Sequence, residues 1–141
     1  MKLGISEAFR RYGATLKNVN WSASSWTDER TLVVSLWDHH HLKNYGVGIL
    51  AFGDQFDRWS GPGNTEFRAN VTRAYEQEST VRLVLARALE PDRVQRGEDG
   101  SKIPKTFAVR DDVLGRVANI SGETYVIEFR RPASQALSNA E

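Results

Sequence analysis

The stretch that most constrains this chain covers residues 31–41, TLVVSLWDHHH. Its β-branched and large apolar residues alternate, with Leu32, Val34 and Leu36 on one face and Val33, Ser35 and Trp37 on the other. Two faces that both carry apolar side chains predict an interior strand rather than an edge. Beyond Trp37 the character changes within one residue to Asp38-His39-His40-His41, which holds every histidine of the protein. Titratable groups at the end of a rigid strand are held more firmly than on a loop, so a site is expected here.

The flanking sequence supplies partners for that strand. Ile5, Phe9, Tyr12 and Leu16 recur at helical spacing and predict a first helix over residues 5–16, with Ser6 as its cap. Residues 18–26 are polar and alternating and read as a strand. The turn residues Thr27-Asp28-Glu29-Arg30 allow it to pair with residues 31–37 as a hairpin. Residues 42–56 are ambiguous between a short strand and an ordered loop, because Gly46, Gly48 and Gly53 interrupt an apolar run. After the turn at Gly61-Pro62-Gly63, Asn64 is expected to cap a helix over residues 65–78, whose apolar stripe is Phe67, Val71, Ala74 and Tyr75.

Residues 81–89 alternate as a strand should, and residues 90–105 form a long polar excursion of the kind that sometimes serves as a lid. A short strand at residues 107–110 and a terminal hairpin over residues 117–130 follow, with Tyr125, Ile127 and Phe129 facing inward. Hairpins dominate both ends and no βαβ alternation is visible. The expected fold is therefore α+β: a mostly antiparallel, curled sheet, or a small partly open β-barrel, with two main helices packed against it. Residues 1–131 are expected to form one globular domain and residues 132–141 a disordered tail.

Composition excludes several classes. Cysteine is absent, which removes disulfides, a thiolate nucleophile and Cys-type zinc sites. With no signal-like or membrane-spanning apolar run, the expectation is a cytoplasmic protein without a membrane partner. A net charge of +1 argues against binding nucleic acid by bulk electrostatics alone. Arginine nevertheless outnumbers lysine by 14 to 5, and its planar fork pairs with phosphate, carboxylate or a base edge.

The aromatic residues are concentrated. All 4 tryptophans and half of the 14 aromatic residues fall within residues 21–59. One reading is a crowded corner of the core. The other is an aromatic-walled cleft, whose water would satisfy indole N–H groups that a dry core would strand. In the second reading Trp21, Trp26, Trp37 and Trp59 are the candidate ligand-binding residues, with Arg58 and Arg68 as phosphate clamps. Asn64 joins them at the start of the helix.

The histidine run permits two further readings. On an extended strand His39 and His41 share a face, an i, i+2 pair able to clasp a metal with Asp54 or Asp57 as third ligand. Alternatively His39 or His41 acts as a general acid–base oriented by Asp38 or Asp54. The spacing matches no dedicated metal motif, no Gly-x-Ser-x-Gly elbow is present, and the sequence leaves any cofactor unknown. The reading that follows is a small binding domain for a nucleobase, nucleotide or single-stranded nucleic acid. The alternatives are a metal- or histidine-dependent hydrolase acting on a phosphoester or glycosidic bond, and an accessory or inhibitory protein that docks another protein.

Overall fold

The structure, a computed structural model, describes residues 3–132. Seven strands form a single mixed sheet: β1 (Ser24–Trp26), β2 (Leu32–Trp37), β3 (Leu50–Gln55), β4 (Val81–Ala88), β5 (Lys105–Val109), β6 (Leu114–Ser121) and β7 (Thr124–Arg130). Their order is β1-β2-β4-β6-β7-β3, with β5 pairing to β4 beside that path. The helices are α1 (Ile5–Arg10), α2 (Pro62–Glu76) and α3 (Pro91–Gln95). Only α2, at 15 residues, is long, so one main helix stands where two were expected. Among the described residues no helix is long and apolar enough to cross a membrane.

Residues 31–37 lie in the interior, as their pattern requires. Strands β2 and β4 are parallel neighbours, in register from Leu32↔Val81 to Trp37↔Ala86, while the other strand pairs are antiparallel. Parallel strands tend to be covered on both faces. Leu32, Val33, Val34, Val81, Leu83 and Val84 are accordingly all fully buried. The connection between them runs out through β3 and back through α2, which is what lets the two strands point the same way.

The two sheet faces carry separate cores. Leu32, Val34, Leu36 and Leu83 pack with Phe67, Val71, Ile127 and Phe129 beneath α2, and Leu85 lies partly buried against them. Val33 and Val84 face the other way, onto Phe9 and Leu16. Trp37 belongs to neither and joins a third cluster with Ala88, Val94 and Ile103. Strand parity places it there, on the face opposite Leu36.

Several boundaries move for local reasons. Helix α1 ends at Arg10, and Gly13 (φ +86°) turns the chain so that Ala14 bridges to Thr27. The first strand shrinks to Ser24–Trp26, but its hairpin with β2 forms, with Trp26 opposite Leu32. Helix α2 starts at Pro62 rather than residue 65. Its N-cap is Gly61, and Asn64 donates from Nδ2 to the Phe56 carbonyl at 2.6 Å instead of capping. Residues 133–141 of the expected tail lie outside the described residues.

The sheet curls until its far edge nears the end of β2. His41 forms an isolated antiparallel bridge with Phe52 of β3, and the Leu42 N–H donates to the Ala51 carbonyl at 2.8 Å. No continuous ladder joins β2 to β3, so the sheet stays open.

Candidate functional site

The strand does not continue into the histidines. Asp38–His40 form a 3-10 turn, closed by the His41 N–H donating to the Asp38 carbonyl at 3.1 Å. The alternation assumed for an extended strand therefore fails, and neighbouring rather than alternate histidines come together. The rings of His39 and His40 lie 4.4 Å apart, and both Nε2 atoms approach Oε1 of Gln95, at 3.0 and 2.5 Å. His41 packs instead on Phe52, with ring centroids 5.8 Å apart, and Asp38 pairs with Arg87 at 3.2 Å. Among the described residues no three His, Cys, Asp or Glu side chains are grouped so as to hold a metal ion.

The polar residue that the turn turns inward is His40, whose side chain is 10% exposed. Its Nδ1 faces Oδ2 of Asp54 at 3.6 Å, too far for a direct hydrogen bond. Arg58 stands four residues beyond Asp54, one turn on. It donates from Nε to both carboxylate oxygens, at 3.0 and 2.8 Å, and from NH1 to the Val94 carbonyl at 2.7 Å. Burial pushes the His40 imidazole below its ordinary value, outweighing the opposing pull of Gln95 and Asp54. At neutral pH it is uncharged.

Beside this group opens a cavity of about 710 Å³, at the C-terminal halves of the parallel strands β2 and β4. That is a common place for a ligand in open sheets with parallel strands, and the volume is typical of small-molecule clefts. Trp21, Trp37 and Trp59 line it, as do His40, Asp54, Arg58 and Tyr125. The last four also border a second hollow of about 660 Å³. Tyr125 is held between Phe56 and Phe67, with ring centroids 4.7 and 5.6 Å away. Burial pushes its phenol far above the ordinary value, so it stays a neutral hydroxyl.

Residues 90–105 form one wall of the cavity. Val94 and Ile103, both buried, seat this excursion on Trp37 and Ala88. Gly97 (φ +78°) lets the backbone run against Arg58, whose carbonyl oxygen would lie 2.5 Å from any Cβ there. Lys105 donates from Nζ to the Gly100 and Ile103 carbonyls at 2.6 and 3.1 Å. Burial lowers its pKa. At the opposite rim, α2 begins against Trp21. A Cβ on Gly63 would lie 2.1 Å from the Trp21 carbonyl oxygen, so only glycine permits this approach.

The structure thus brings together Trp21, Trp37, Trp59 and Arg58 from the expected set. It places three others elsewhere. Trp26 lies outside the cavity lining, donates from Nε1 to Asn70 at 2.9 Å and has Arg73 over its ring. Arg68 pairs with Glu123 and lies over the Phe56 ring, and Asn64 is tied to Phe56. Among the described residues the indole N–H groups of the three lining tryptophans have no acceptor, yet none is sealed from solvent. His40, Gln95 and Tyr125 are the residues that sequence reasoning missed. His40 carried a signal in its place within the histidine run, and Tyr125 only in its inward-facing position on the terminal hairpin.

No family model, curated protein or solved structure matches the chain.

Proposed function

We propose that the cavity binds a flat heterocyclic ligand, a nucleobase presented as a nucleotide or on a single strand. The observation that carries this is the set of three tryptophans around one cavity of about 710 Å³, each N–H without an acceptor among the described residues, with Asp54 and Arg58 beside them. Indole faces stack any base, and the N–H edges want acceptors that a base or sugar offers. A base edge can meet the Asp54–Arg58 pair with complementary donors and acceptors.

Charge favours a small ligand over a long duplex. Several arginines are already committed to carboxylates: Arg68 to Glu123, Arg93 to Glu90 and Glu98, and Arg110 to Asp112. Few phosphates would then be neutralised on binding, which predicts a shallow salt dependence. The test is tryptophan fluorescence titrated with nucleotides and with short single- and double-stranded oligonucleotides at two salt concentrations. Quenching by nucleotides and single strands is expected. No response from a folded protein removes this reading and leaves a protein-docking role.

A second reading is catalytic and rests on His40 rather than His39 or His41. A neutral imidazole facing a carboxylate at the cavity wall is equipped to move a proton in hydrolysis of a phosphoester or glycosidic bond. Turnover of chromogenic phosphodiester or glycoside substrates, lost in His40→Ala, would support it. No turnover leaves binding as the function.

A further inference from the structure

We propose that Asp54 selects the ligand by accepting hydrogen bonds from an exocyclic amino group, so that the cavity takes cytosine, adenine or guanine in preference to uracil or thymine. This rests on the nucleobase reading and narrows it to a chemical class.

A carboxylate offers about four lone-pair sites. Among the described residues a single N–H, the Nε–H of Arg58, donates to Asp54 and is shared between both oxygens. His40 Nδ1 at 3.6 Å is beyond direct bonding distance. The side chain is 9% exposed and borders the cavity, so its spare lone pairs have little bulk water to fill them. Buried polar groups are nearly always satisfied, and a group left short in a cavity wall points to what the cavity receives.

The neighbour repeats the pattern. Tyr125 is 4% exposed and borders the same cavity, and among the described residues its hydroxyl has no hydrogen-bond partner, although it is not sealed from solvent. Arg58 spends Nε on Asp54 and NH1 on Val94, and among the described residues NH2 has no acceptor and can donate. The polar end therefore combines an acceptor-only carboxylate with a guanidinium donor and a hydroxyl that can do either.

Amino-bearing bases match this set. Cytosine, adenine and guanine each place an N–H₂ next to ring or carbonyl acceptors, so one edge can give to Asp54 and take from Arg58 or Tyr125. Uracil and thymine place carbonyl oxygens on both sides of their one N–H. Against Asp54 those oxygens would meet lone pairs with lone pairs. Sites built to bond a polar group reject analogues that lack it, because the protein group is left unpaired.

The test is calorimetric titration of the full chain with cytidine, adenosine, guanosine, uridine and thymidine 5′-monophosphates, and with N4,N4-dimethylcytidine 5′-monophosphate. The amino bases should bind about tenfold or more tighter than uridine and thymidine. The dimethyl analogue, which keeps the ring and loses both amino protons, should fall to the uridine level. Asp54→Asn should flatten the ranking, with circular dichroism confirming that it is folded. If every nucleotide binds equally, or the dimethyl analogue matches cytidine, the Asp54 proposal is overturned while the nucleobase reading stands. If none binds the wild-type protein, the nucleobase reading itself fails.

Discussion

Arg58 lays its Nε–H between the two carboxylate oxygens of Asp54, at 3.0 and 2.8 Å, with both side chains nearly buried. The pair links three separate pieces of chain. Asp54 is the last residue but one of β3, Arg58 closes the 3-10 turn Phe56–Arg58, and the same guanidinium holds the Val94 carbonyl of α3. Removing one partner from such a pair leaves a buried charge uncompensated, at a cost of roughly 3–5 kcal/mol. Arg58→Ala should lower unfolding stability by about that amount. The double variant Asp54→Leu, Arg58→Met should recover a large part of it. Urea denaturation of both measures this, and a double variant less stable than Arg58→Ala would refute it.

Gly63→Ala sets two effects against each other. Alanine improves helix propensity by about 1 kcal/mol over glycine. Here its Cβ would lie 2.1 Å from the Trp21 carbonyl oxygen, a backbone atom that cannot swing away. Overpacking of this kind costs roughly 1–3 kcal/mol or more, so the clash should win. A lower melting temperature is expected; a rise would mean that Trp21 does not pack against α2 as described.

The wall formed by residues 90–105 should open independently of the main core, because it is seated on its own cluster of Ala88, Val94, Ile103 and Trp37. Ile103→Ala removes a 2% exposed side chain from that seat, at a cost of roughly 2–5 kcal/mol. Hydrogen exchange should speed up in the 91–103 segment while the β7 amides keep their protection. Uniform acceleration across both would show that the wall has no stability of its own.

How much of this was legible in the sequence differs by level. Strand β2 and the inward set Tyr125, Ile127 and Phe129 were readable because alternation at period two follows directly from strand geometry. The long helix was readable from Phe67, Val71 and Ala74, although its start was set by Pro62 and the close contact at Gly63 rather than by Asn64. The histidines were misread because a strand was carried through Asp38, where the chain turns. His40 rather than its neighbours faces Asp54 for that reason alone. The places of Gln95 and Tyr125 in the site were out of reach. Their roles depend on which distant segments the curl of the sheet brings together, and periodicity carries no information about that.

Acid should expose the His40 environment. Burial holds its imidazole below the ordinary 6.5, so the unfolded chain takes up a proton that the folded chain resists. The unfolded state then binds more protons, and stability rises with pH across that window. The contribution is full above pH 6.5 and is lost as pH falls from there toward the lowered folded value. The carboxylates held low by arginine, Glu98 and Asp112, titrate below their ordinary 4.5 and 3.8 and leave this window clear. The urea midpoint should drop between pH 7 and 5.5, and less so in His40→Gln. An identical drop in the variant would assign the effect to another group.

The four tryptophans give the most direct measurement. Each indole N–H yields one signal in a ¹H–¹⁵N spectrum, assignable by single Trp→Phe variants. Adding cytidine 5′-monophosphate should shift the signals of Trp21, Trp37 and Trp59, which border the cavity without an acceptor among the described residues. Trp26, bonded to Asn70 outside the cavity, should stay in place and serve as the internal control. If all four signals stay fixed at saturating nucleotide, or Trp26 alone moves, the cavity is not a nucleobase site.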